Sequence, residues 1–112
     1  MAYSKELAQR VRKLLAHIPD VQEKKMFGSI GFMVNNKLCI GVGEYQDCVM
    51  MVRVGPENFE EALKKKGAQS TIMRDRVMKG YVSLTDEAAK NQKALEEWVI
   101  AALDFNKKIK SS

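Results

Sequence analysis

A chain of 112 residues, 46% apolar and 29% charged, has the make-up of one globular domain spanning residues 1–112 and not that of a disordered tail. No apolar run approaches the roughly 20 residues a membrane helix needs, and the start Met1-Ala2-Tyr3-Ser4-Lys5-Glu6 lacks the unbroken apolar core of a secretory leader, so a cytoplasmic protein without membrane contact is expected. The net charge of +5 is spread along the chain, which suits a solvated surface and eases approach to acidic partners without marking a dedicated nucleic-acid binder.

A first helix is predicted over residues 4–17. Leu7, Val11, Leu14, Leu15 and Ile18 form one apolar stripe, Ser4 is placed to cap the start, and Pro19 ends the run. Strands follow at 23–27, 30–34 and 38–42, the last two joined by Asn35-Asn36, a pair that tolerates the positive φ of a two-residue hairpin. Residues 43–47 read as a five-residue loop and 48–54 as a fourth strand. With that loop length, Met33, Leu38, Ile40, Val42, Cys48, Met50, Val52 and Val54 share one apolar face. Ile30, Phe32, Val34, Lys37, Cys39, Val49, Met51 and Arg53 then share the other.

Gly55-Pro56 opens a second helix that Gly67 closes, with Glu57, Glu60 and Glu61 early and Lys64, Lys65 and Lys66 late, as the helix dipole prefers. Residues 71–73 and 77–84 read as a last strand pair around Arg74-Asp75-Arg76. Leu95, Trp98, Val99, Ala102 and Leu103 mark a final amphipathic helix, followed by a fraying basic tail at Lys107, Lys108 and Lys110. The order α-β-β-β-β-α-β-β-α, with hairpins in its first block, predicts an α+β fold with a mostly antiparallel sheet and flanking helices. Three helices cover one sheet face, so the other needs a different cover. A second copy of the chain, a homodimer, is the simplest.

Catalytic constellations are not found. His17 is the sole histidine and lies at a helix end, where histidine complements the dipole. Glu60-Glu61 and Glu96-Glu97 are adjacent on helices and do not converge. Gly28-Ser29-Ile30-Gly31 lies between strands and opens no phosphate-binding helix. Cys39 and Cys48 sit in apolar strand runs, which reads as reduced, structural thiols, and one histidine without a Cys-x-x-Cys leaves zinc without ligands. No catalytic residue, metal or cofactor is therefore expected. The segment with functional appeal is Arg74-Asp75-Arg76-Val77-Met78-Lys79-Gly80-Tyr81, with Arg53 joining it if its strand end lies nearby. Arg53, Arg74, Arg76, Lys79 and Tyr81 are the candidate contacts for a protein partner or for nucleic acid. The bland alternative is a polar turn in which Asp75 pairs with one arginine.

Met26-Phe27-Gly28, Gly31-Phe32, Met51-Val52-Arg53-Val54, Met78-Lys79-Gly80-Tyr81 and Trp98-Val99 occur in an order that resembles the N-terminal domain of the TfoX/Sxy competence regulators, from Lys13 to Leu103. The resemblance implies an α+β domain similar to secretion-chaperone-like folds and a non-enzymatic regulatory or protein-binding role. It also implies partners in the transcription machinery, since full-length members are linked to natural competence and act with the cyclic-AMP receptor protein at competence promoters. It transfers no catalytic residue. Full-length regulators carry a second, C-terminal domain, so a chain ending at Ser112 corresponds to a free-standing N-terminal domain. Direct nucleic-acid binding through the basic surface and an uncharacterised small enzyme are the alternative readings.

Overall fold

A computed structural model describes residues 4–26, 28–45 and 47–110. Helix α1 (Lys5–Leu14) starts where Leu7 N–H donates to Ser4 Oγ at 3.1 Å, the expected cap, and is shorter at its C-terminal end than the stripe predicts. Leu15 caps it, and Ile18 N–H donates to the Leu15 carbonyl in the turn that follows. Strands β1 (Val21–Met26), β2 (Ser29–Val34), β3 (Lys37–Tyr45) and β4 (Cys48–Arg53) come next, and Phe27 from the expected first strand lies outside the described residues. A short 3₁₀ turn (Pro56–Asn58) leads into α2 (Phe59–Leu63). The strands β5 (Ala68–Met73) and β6 (Arg76–Thr85) then precede α3 (Asp86–Lys90) and α4 (Gln92–Lys110). The six strands form one antiparallel sheet in the order β1-β2-β3-β4-β6-β5. The α+β class and the order of elements are those expected, with α3 inserted before the final helix.

Asn35 and Asn36 adopt φ of 55° and 66°, the left-handed pair a tight hairpin needs. The expected five-residue loop at 43–47 is shorter at its start, and Gln46 within it lies outside the described residues. Strand β3 instead continues to Tyr45, which pairs with Cys48. The expected division of faces fails on β2 and β3. Val34 pairs with Lys37 and Met33 with Leu38, but Phe32 pairs with Ile40, so Cys39 is an extra residue on β3. That bulge reverses parity along the strand. Ile30 and Phe32 therefore share a face with Ile40 and Val42, whereas Met33 and Leu38 belong to the other.

The first face carries the core. Phe32, Ile40, Val42, Met50, Val52, Val82 and Leu84 are fully buried there, in one cluster with residues from all four helices: Leu7 and Val11 (α1), Phe59 (α2), Ala89 (α3), Leu95 and Trp98 (α4). Cys48 and Met51 are buried outside that cluster, and Thr71 Oγ1 and Ser83 Oγ share a buried hydrogen bond of 2.7 Å. The other face carries half-buried Met33 and Leu38 and no large exposed apolar side chain among the described residues. Its apolar load is thus smaller than the argument for a covering second copy assumed.

Two contacts tie the helices to the sheet. Asn106 is buried. Its Nδ2 donates to the Val34 carbonyl at 3.0 Å, and its Oδ1 accepts from Asn35 Nδ2 at 2.9 Å. Helix α4 runs on to Lys110, through the segment expected to fray, and the Ile109 carbonyl accepts from Lys37 Nζ. At the other edge, Arg12 of α1 grips Glu23 of β1 through Nε at 2.6 Å and Nη2 at 2.7 Å. The Arg12 hydrogen bond, opposed by some desolvation and aided by the charges of Arg12 and Lys25, holds the Glu23 carboxyl below its ordinary value of 4.5. A depressed folded-state value means this stability is complete above the ordinary glutamate range and is lost as pH falls through the lowered one. Melting scans of Glu23→Gln should therefore show a deficit against the wild type at pH 7 that closes as both are taken to pH 3.

Candidate functional site

Arg53 and Tyr81 stand opposite one another in the β4–β6 register. The Arg53 guanidinium carbon lies 5.3 Å from the Tyr81 ring centre and 5.3 Å from that of Phe105 on α4, so two aromatic faces hold one cation. Gly55 permits this. Its φ is +88°, and a Cβ there would sit 2.4 Å from Phe105 Cδ1.

Beyond Tyr81, β6 leaves the sheet. Gly80, at φ +94°, offers its carbonyl to both Val54 N–H (2.8 Å) and Gly55 N–H (3.1 Å). Between the pairs Ser70–Val82 and Ile72–Val77, four residues of β6 (Met78 to Tyr81) oppose only Thr71 of β5. Strand β4 pairs with β6 no further than Tyr81, so the stretch from Ile72 to Val77 continues past the sheet as a two-stranded ribbon. At its tip Arg74 and Asp75 occupy φ of 53° and 62°. An arginine held left-handed is costly compared with the asparagines of the β2–β3 turn, of the order of 1 kcal/mol.

The five candidate contacts therefore divide in two. Arg53 and Tyr81 form one aromatic–cation unit. Arg74 and Arg76 lie at the ribbon tip, on the far side of the bulge that ends at Tyr81, with Lys79 exposed between them. They line one route along β6 without converging on a point. The expected pairing of Asp75 with an arginine is not formed: among the described residues no ion pair involves Arg74, Asp75 or Arg76. Sequence reasoning missed three members, Ile72, Val77 and Phe105. Ile72 and Val77, a cross-strand pair, are 40% and 57% exposed, two of the three large apolar side chains so exposed among the described residues. Phe105 was legible by carrying the α4 stripe three residues beyond Ala102.

The lysine run after α2 also differs from expectation, because the helix ends at Leu63 before it. Lys64 pairs with Glu61 at 3.2 Å, Lys66 with Glu87 at 3.6 Å, and Lys65 stands 5.1 Å above the Trp98 ring. Exposed pairs of this kind contribute little.

Among the described residues no three His, Cys, Asp or Glu side chains group as metal ligands, and His17 is exposed in the turn after α1. The hollow between α2 and α4, about 470 Å³, is lined by Glu61, Lys65, Trp98, Asp104 and Lys108, without a cysteine or histidine. Burial pushes the Cys39 thiol up to about 12 despite nearby Arg53, and burial, then Asp47, raises Cys48. Both are free thiols. Ellman's reagent at pH 8 should label neither in the folded protein and both in denaturant.

A six-stranded sheet with helices on one face and a charged ribbon at one end defines a small α+β module. The chain matches the TfoX N-terminal domain model over residues 13–106, most of its length, and belongs to that family of competence-related regulatory modules. No curated protein and no solved structure matches it. No helix among the described residues is long and apolar enough to cross a membrane.

Proposed function

We propose that this chain is a non-enzymatic, cytoplasmic regulatory module that acts by holding a protein partner, with the transcription machinery as the partner class its family favours. The observation that carries the reading is the ribbon tip, where exposed Ile72 and Val77 adjoin Arg74 and Arg76, cations without an ion-pair partner among the described residues. Apolar anchors beside desolvatable cations suit a protein surface better than a phosphate backbone, which asks for charge alone. The tagged chain, used to capture proteins from its native cell, should recover RNA polymerase or a transcription factor. The double variant Arg74→Glu/Arg76→Glu should lose that capture while keeping the wild-type melting temperature. Recovery of a metabolic complex instead contradicts the reading.

Direct nucleic-acid binding is the second reading, favoured by Arg74, Arg76 and Lys79 on one route. Three phosphate contacts require a log–log salt slope of about −3 on duplex DNA. Salt-insensitive binding, or none at low ionic strength, removes it.

A further inference from the structure

The two edges of the sheet are unequal. Strand β1 carries Glu23, Lys24 and Lys25 and is clasped by Arg12, the usual protection against further strand pairing. Strand β5 has no charged residue between Ala68 and Met73 and pairs only with β6. Its free side can be read from the ladder. Thr85 N–H donates to the Gly67 carbonyl at 3.0 Å, so alternation aims the backbone groups of Ala68 and Ser70 away from β6. Ala68 N–H turns back to the Lys65 carbonyl at 3.1 Å. Ser70 N–H and C=O find no such partner among the described residues. Cations flank this open edge along the chain: before it come Lys64 and Lys66, each in an exposed ion pair, and Lys65 over the Trp98 ring, and after it come Arg74 and Arg76.

We infer that the β5 edge accepts an extended acidic segment of the partner protein as a seventh strand, carboxylates at both its ends meeting the two cationic brackets. This rests on the protein-binding reading above and specifies its partner. Main-chain hydrogen bonds at Ser70 supply the attachment and the brackets supply selectivity. Charge also argues against a second copy on this edge. Antiparallel self-pairing centred on β5 sets each copy's Lys64–Lys66 run against the other's Arg74 and Arg76, offset by Asp75 and by Glu61 and Glu87, the exposed partners of Lys64 and Lys66. The strand between the brackets is six residues long, about 20 Å in an extended chain.

The experiment is a display selection of random twelve-residue peptides on the whole chain, followed by amide-resolved NMR with the best binder. Enriched peptides should carry acidic residues on both sides of a central stretch at least about six residues long, and their shifts should centre on Ala68–Met73. N-methylation of alternate peptide amides should weaken binding at least about tenfold, as should Arg74→Glu/Arg76→Glu in the protein. Ser70→Pro should do the same, and the N-methylated peptide keeps the test decisive if that variant does not fold. Selected peptides without acidic residues, equal binding of the N-methylated form, or displacement by duplex DNA at the same residues would overturn the inference. So would a dimer that Ser70→Pro abolishes. Peptides that bind tightly elsewhere on the chain sink the edge-strand inference alone, whereas failure of every peptide and of the cellular capture sinks the protein-binding reading as well.

Discussion

Phe32→Ala should lower the unfolding free energy by about 3–5 kcal/mol, the largest loss expected from one substitution in this chain. Phe32 is wholly buried in β2, opposite Glu23 of β1 and Ile40 of β3, within the cluster that joins the sheet to the helices. Truncation removes the transfer energy of the ring and leaves a cavity that neighbours on a pleated, hydrogen-bonded strand are poorly able to fill. A domain of this size has about 5–15 kcal/mol in all, so most of its margin goes. Urea titration should show a sharply lowered midpoint with an unchanged slope, since the surface exposed on unfolding is nearly the same.

Asn106→Leu should cost about 1–3 kcal/mol although it places a larger apolar group inside the protein. The Asn106 amide is satisfied on both sides, donating to the Val34 carbonyl and accepting from Asn35. Leucine leaves the buried Val34 carbonyl and the half-buried Asn35 amide without their partner, and its bulk adds no compensating contact that the site was shaped for. The loss should be local as well as global. Hydrogen exchange in the last two turns of α4 should accelerate more than exchange in β4, because Asn106 and Lys37 pin that end of the helix to the β2–β3 turn. Uniform acceleration across the sheet contradicts this role.

Local signals in the chain were legible where one residue type dictates one conformation. Asn35-Asn36 named its hairpin because few other residues accept two consecutive positive φ values. Ser4 named a cap because its hydroxyl is the partner an orphan amide needs. The faces of β2 and β3 were not legible, because the bulge at Cys39 comes from how two strands pair, and no residue beside it announces an extra position. Helix α3 was readable in principle. Thr85-Asp86-Glu87 is a helix start, and Thr85 Oγ1 does accept from Ala88 N–H at 3.3 Å, but the apolar run of β6 masked it.

The candidate site was half legible for a related reason. Residue type singled out Arg53, Arg74, Arg76, Lys79 and Tyr81, and the register then brought Arg53 to Tyr81. Val77 looked like an interior strand residue because alternation alone does not reveal that its strand has left the sheet. Only the wide bulge from Met78 to Tyr81 turns Ile72 and Val77 into exposed neighbours of the arginines. Arg74 at positive φ is likewise invisible in sequence, because Asp75 is a usual turn residue but arginine is not.

The most direct test places a photo-crosslinking benzoylphenylalanine at Val77 in the native cell, with the same group at Ile100 of α4 as the control, since both positions are 57% exposed. The account predicts a protein adduct from position 77 that disappears with Arg74→Glu/Arg76→Glu, and none from position 100. Adducts from position 100 alone, or nucleic acid as the species captured at 77, would contradict it.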